Sequence, residues 1–158
     1  MKIEVAFRPL AELERKLAEL YASWAEAFED DREAALVFFK MSNEEKEHTA
    51  LVDYAKRFVQ KDPKLGGDVD IDLSSVQAAL DRVRALRETE VAPSVERAVE
   101  IALELETLAA ESHYRNALKQ TNPEMERLLK CLGSEDQQHL GRLMEFAAKR
   151  GISAGQSR

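Results

Sequence analysis

The chain is constrained first by where its helix breakers fall, because they divide it into two long helical hairpins with an extended connection between them. Leu10, Leu13, Leu17, Tyr21, Trp24 and Phe28 recur at spacings of three and four, predicting a helix from about Pro9 to Phe28. Arg8-Pro9 suits its opening, since proline is tolerated where the amide has no helical partner. Asp30-Asp31 offers a cap and a negative first turn to a second helix over about 32–59. Lys61 to Leu73 reads as a loop, marked by Pro63, Gly66-Gly67 and several aspartates. Ser74 or Ser75 is expected to cap a shorter amphipathic helix carrying Val76, Leu80, Val83 and Leu86. A break near Pro93 leads into a third long helix over about 94–119. Asn122-Pro123 starts a fourth, which runs to Arg150 and stops at Gly151. Residues 1–8, where Ile3, Val5 and Phe7 alternate, are expected to form a short extended arm, and 151–158 a flexible tail. That leaves 9–150 as one domain. Two hairpins joined by a crossover of roughly 35 residues describe an all-α bundle that an up-down arrangement with short loops would not need.

Composition agrees with helices and narrows the function. Charged residues make up 34% of the chain, against six glycines and four prolines, a balance that favours helix over sheet. The net charge of −7 and the lack of a long basic run argue against nucleic acid or an anionic membrane as partner. No apolar run approaches the roughly 18 residues needed to span a bilayer. The N-terminal residues lack the apolar stretch of a signal peptide, so a cytoplasmic location is expected. A single cysteine, Cys131, precludes an internal disulfide or a Cys-x-x-Cys metal site, and is expected to be a plain buried or boundary thiol.

The informative residues break the apolar pattern. Glu14 falls within about 40° of the centre of the first helix's apolar face, hemmed by Leu10, Leu13, Leu17 and Tyr21. The second helix's inward stripe is Phe38, Met41, Ser42, Glu45, His48, Thr49 and Val52. The third places Glu106 among Val99, Ala102, Ala109, Ala110 and His113. The fourth places Asp136 and His139 among Leu129, Leu132, Leu140 and Leu143. Each long helix thus turns one carboxylate inward, and two of them add a histidine three residues later. Glu14 and Glu45 each lie about 15 residues from the turn near residue 30, and Glu106 and Asp136 about as far from the turn near 121, so each pair sits at one height. Burying several ionised carboxylates together is very costly, and a dication neutralises them more simply than shared protons do. One carboxylate from each of two helices, with an acid-x-x-His motif from each of the others, is the donor set of di-metal helical bundles.

The run Phe38-Phe39-Lys40-Met41-Ser42-Asn43-Glu44-Glu45-Lys46-Glu47-His48 resembles the second-helix signature of the rubrerythrin family, within the ferritin-like superfamily, and the resemblance extends over about 9–149. It implies two iron ions, with manganese or zinc as alternatives. Glu14 and Glu106 would be terminal ligands, Glu45 and Asp136 would bridge, and His48 and His139 would each complete one metal. It further implies iron oxidation, or reduction of dioxygen or peroxide. The chain departs from the family in having Asp-x-x-His as its second motif. It also has Leu103 and Ala109 where an extra glutamate would stand one turn from Glu106, and no rubredoxin-like cysteine cluster. A peroxidase of this kind would need a separate electron donor.

The remaining features leave choices open. Tyr21 and His113, each seven residues after an inward carboxylate, are expected to hydrogen-bond towards the site rather than ligate. A second stripe, Ile101, Leu105 and Leu108, is either covered by the crossover helix or forms a homodimer contact, and some combination leaning to a dimer is the expectation. Glu12, Glu19, Glu44, Glu47, Glu104 and Glu111 read as a solvated face. With no fifth helix after the fourth, a storage cage is not expected. Beside the oxidoreductase stand two other readings: a non-catalytic module that binds metal for stability or sensing, and an adaptor that has lost turnover.

Overall fold

The computed structural model describes residues 1–153 except 63, 66, 91, 120 and 121, and omits the side chains of 111, 114, 115, 118 and 119. Pro63, Gly66, the surface assignment of Glu111 and most of the expected tail therefore lie outside the described residues. Five helices follow one another: α1 (Ile3–Ala27), α2 (Arg32–Lys61), α3 (Ser74–Thr89), α4 (Val95–Lys119) and α5 (Pro123–Arg150). α1 pairs with α2 and α4 with α5, α2 also meets α5, and α3 lies across α1 and α4. This is a ferritin-like bundle of two hairpins with the crossover carrying a helix. No helix among the described residues is long and apolar enough to cross a membrane.

The punctuation acts largely as its chemistry dictates. The Asp31 side chain accepts from the Ala34 amide at the start of α2. Asn122 accepts from the Glu124 and Met125 amides at the start of α5, with Pro123 in the first turn. The two ends meet across the bundle, where Arg150 pairs with Asp31 and Glu33, so the cation-rich end of α5 faces the acid-rich start of α2. An aromatic cluster closes the first hairpin, with Trp24 set edge-on to Phe38 at 5.3 Å and Tyr21 and Phe28 against the same ring.

At the N-terminus the expected arm is instead the first turns of α1. Five residues of alternation cannot distinguish a strand from a helix, and Ile3, Ala6, Phe7 and Leu10 satisfy the helical spacing equally well. The burial decides: those four are at most 1% exposed, while Val5 is 58% exposed. Pro9 therefore sits inside the helix and leaves the Val5 carbonyl without its usual partner, which costs about 3 kcal/mol. Burying Ile3 and Phe7 returns about 1.5–3 kcal/mol for each side chain. The helix start is also tied to the crossover, because the Ile3 amide donates to Gly67 O at 3.0 Å and the Val69 amide to Met1 O at 2.8 Å.

Further departures lie at the start of α3 and on α5. Neither serine caps α3: Ser74 is its first residue, Leu73 precedes it, and the Asp72 carboxylate accepts from the Ser74 amide instead. The stripe on the back of α4 is covered within the chain, with Ile101 and Leu105 fully buried beneath α3, whose Val76, Leu80, Val83 and Leu86 are buried in turn. Leu108, the third residue of the stripe, is only partly buried. Cys131, expected at a boundary or inside, is exposed on α5.

Gly151 ends α5 at φ +64°, and the next amide, Ile152, reaches back to Ala147 O at 2.9 Å. Ile152 then packs against the core, so the ordered chain continues past the expected end of the domain. A Cβ at 151 would meet nothing within 4 Å, so Gly151→Ala should cost only the backbone strain. That is roughly 1–2 kcal/mol, expected as a melting point lower by several degrees with unchanged helix content.

Candidate metal centre

The six inward residues converge midway along the bundle. Glu14 comes from α1, Glu45 and His48 from α2, Glu106 from α4, and Asp136 and His139 from α5, each no more than 2% exposed. Helical spacing delivers them, since Glu45 and His48 lie one turn apart on the face that carries Phe38, Met41 and Val52. Ser42, one turn before Glu45, locks the hairpin by donating to the Ala18 carbonyl at 2.9 Å.

Five of the six form two overlapping triads. In the first, His48 Nδ1 lies 3.1 Å from Glu14 Oε2 and 3.0 Å from Glu45 Oε2. In the second, His139 Nδ1 lies 3.2 Å from Glu106 Oε2 and 3.0 Å from Glu45 Oε1. Within each triad one donor atom per residue falls within 4.8 Å of the others, and Glu45 belongs to both. The two imidazoles stack at 5.2 Å between ring centres. Both contacts of His48 have hydrogen-bond geometry and share the one Nδ1. At His139 only the contact with Glu106 has it, and Glu45 Oε1 is buried with no hydrogen-bond partner among the described residues.

Asp136 does not join either triad. Its shorter side chain ends at His113, where Asp136 Oδ2 lies 2.7 Å from Nδ1. Glu45 is the carboxylate that the two triads share. Tyr21 sits where expected, its hydroxyl donating to Glu106 Oε1 at 2.6 Å. His113 faces Glu14, with Nε2 3.7 Å from Oε1, beyond hydrogen-bonding distance.

Two carboxylates near the site were not anticipated. Glu135 Oε2 lies 2.6 Å from His48 Nε2, and Glu44 Oε2 lies 3.2 Å from His139 Nε2. Glu44, expected on a solvated face, is instead three-quarters buried and gripped by the two terminal guanidinium nitrogens of Arg142. The contacts are reciprocal, because each histidine is held from outside by the acid that precedes the other helix's motif. A ligating imidazole usually needs such an outer acceptor to fix its tautomer and ring angle. The signal was present in the sequence as a doubled acid before each x-x-His, Glu44-Glu45 and Glu135-Asp136.

Burial and like charge shape the protonation of the metal-free centre. Loss of water raises the Glu14 carboxyl, and so does the charge of Glu45, while His48 opposes them. Burial likewise raises Glu106. Tyr21 is pushed far up by burial and by the carboxylates around it, so its phenol keeps its proton and stays a donor. Burial works against charge on His48, but its hydrogen bonds to Glu14 and Glu45 prevail and push it up to about 12. His139, similarly opposed by burial and held by Glu106 and Glu45, is pushed up to about 10.

One approach to the centre runs between α2 and α5. A recess of about 110 Å³ lined by Glu44, Glu47, His48, Glu135, Gln138 and His139 leads from the surface to the outer edges of both imidazoles. Its carboxylates favour cations at the mouth. A larger hollow of about 570 Å³ lies elsewhere, between α1 and α2 near Leu36 and Phe39.

The donors fit divalent metal. Carboxylate oxygen and imidazole nitrogen suit iron, manganese and zinc. The unpaired Glu14 Oε1 and Glu45 Oε1 are buried acceptors of the kind that a cation satisfies. Neither a curated protein nor a solved structure matches the chain significantly. A family model described as rubrerythrin matches residues 3–147, from the first turn of α1 to the last turn of α5, and the chain therefore belongs to the rubrerythrin family.

Proposed function

We propose that the chain is a di-iron oxidoreductase that oxidises ferrous iron or reduces dioxygen or peroxide. The observation that carries this reading is Glu45, one buried carboxylate shared by two triads. Two ferrous ions held there would supply a pair of electrons to the oxidant, chemistry that belongs to the metals rather than to the side chains.

The chain's own residues would bind, orient and exclude water. Glu14 and Glu106 would hold one ion each from opposite walls, Glu45 would span both, and His48 and His139 would ligate through Nδ1. Glu135 and Glu44 stand beside the outer nitrogens of the two imidazoles, where their charge would favour a proton on that side and leave the inner nitrogens directed at the centre. Tyr21 holds Glu106 by donating to the oxygen that faces away from His139. The surrounding Leu13, Leu17, Met41 and Leu132 are buried and keep bulk water out. Cys131, the only cysteine of these 158 residues, is exposed and cannot form a four-cysteine iron site alone, so electrons for repeated peroxide reduction would reach the centre from another domain or protein.

A second reading is a metal-stabilised module without turnover, favoured by Asp136, which stands outside both triads and pairs with His113. Metal content followed by stopped-flow mixing separates the two. Two irons per chain, with oxidant consumed faster than by free ferrous iron, would establish the oxidoreductase. Two irons that react no faster than free iron would leave the non-catalytic module. Failure to take up ferrous iron anaerobically would sink both.

A further inference from the structure

The two halves of the centre are related by an approximate internal symmetry that fails at one pair of residues. Glu106 has Oε2 against His139 and Oε1 accepting from Tyr21, which stands seven residues after Glu14. Glu14 has Oε2 against His48 and Oε1 facing His113, which stands seven residues after Glu106. In the first half the outer oxygen is satisfied by a hydroxyl at 2.6 Å; in the second the gap is 3.7 Å and no hydrogen bond forms. Both atoms across that gap, Glu14 Oε1 and His113 Nε2, are buried and have no hydrogen-bond partner among the described residues.

We propose that His113 is a metal ligand in this chain, and that Asp136 is the residue that positions it. This rests on the di-metal reading above and assigns a fourth side chain to the ion on the Glu14 side. With Nδ1 at 2.7 Å from Asp136, a neutral ring that gives its Nδ1 proton to the aspartate keeps a lone pair on Nε2 for a metal. Facing an ionised Glu14, that ring leaves two buried acceptors across the gap, which a cation satisfies together; without metal a proton can lie between them. Bonds of about 2.0–2.2 Å from each atom to one ion span such a gap. The carboxylate–imidazole–metal arrangement is the usual way in which a ligating histidine is oriented. The α5 acid thereby acts through an imidazole, and the two ions become unequal: one gains a nitrogen donor that its neighbour, beside Tyr21, lacks.

Cobalt(II) is the probe, because it occupies iron and zinc sites and shifts the proton resonances of its ligands. In wild-type protein loaded with cobalt, three shifted, solvent-exchangeable imidazole N–H resonances are expected, one for each histidine of the chain. His113→Gln should remove one of them and weaken one cobalt site while sparing the other. Asp136→Ala should weaken that same site by roughly 10–100-fold, as loss of an outer partner does. Two shifted resonances in the wild type would overturn the proposal, and so would wild-type affinity at both sites in a folded His113→Gln. His113 would then only hydrogen-bond to Glu14, directly or through water, and the di-metal reading would survive. Wild-type protein that binds no cobalt and no iron would remove both. The wild-type spectrum decides even if neither variant folds.

Discussion

Glu45→Ala is expected to abolish both metal positions at once, whereas Glu14→Ala and Glu106→Ala should each abolish one. The asymmetry follows from membership. Glu14 belongs to the triad with His48 and Glu106 to that with His139, but Glu45 presents Oε2 at 3.0 Å to one imidazole and Oε1 at 3.0 Å to the other. Loss of a direct ligand should cost more than the roughly 10–100-fold that loss of an outer hydrogen-bond partner costs. For Glu45→Ala that penalty applies twice, and metal content should fall from about two ions per chain, the number the bundle's donor set serves, to background. The variant is expected to fold without metal, because it removes one desolvated carboxylate and leaves Glu14 and Glu106 to pair with the two imidazoles. Circular dichroism on the metal-free variant checks the fold, and elemental analysis after ferrous loading checks the sites. One ion retained by Glu45→Ala would mean that the triads do not share their carboxylate.

How much of this was legible in the sequence depends on whether the information was periodic or three-dimensional. Glu14, Glu45, Glu106 and His139 stood out because each interrupts an apolar stripe, and a helix brings such residues inward whatever else the chain does. The hairpin order could be read from Asp30-Asp31, Asn122-Pro123 and Gly151, whose effects on the backbone are local. The start of α1 was misread because Ile3, Val5 and Phe7 are too few to separate a period of two from one of 3.6. Asp136 shares the inward face as expected, but periodicity fixes a direction and not a reach, and a side chain one methylene short stops at His113. Glu44 and Glu135 escaped because each acts on the opposite helix, and only the crossing of α2 with α5 places Glu135 beside His48. For Ile101 and Leu105 the sequence offered cover by α3 as one of two readings but could not choose it, since no local pattern tells where a crossover helix comes to rest.

Metal-free protein should lose stability as the pH rises, and metal should both raise its melting point and flatten that dependence. The signs agree across the centre. His48 and His139 are raised from 6.5 to about 12 and about 10. Their contribution is therefore fully present below pH 6.5 and is lost as the pH climbs through about 10 and then about 12. Glu14 and Glu106 are also raised, chiefly by burial, so the folded state favours their protonated forms and pays increasingly above the ordinary carboxyl range. From mild acid upward the folded chain thus binds more protons than the unfolded one, and each excess proton steepens the decline by about 1.4 kcal/mol per pH unit. Metal takes the place of those protons, so uptake of ferrous or cobaltous ion in weakly buffered solution should release acid. At free metal a thousandfold above the dissociation constant each site adds about 4 kcal/mol. Two sites together should then raise the melting point by roughly 15–30 °C. The check is a set of melts between pH 6 and 9 with and without metal, alongside a proton-release titration. A metal-free melting point that rises with pH would contradict the protonation assigned to the centre. Loading that shifts neither the melting point nor the pH would show that protons and hydrogen bonds alone hold the four buried acids.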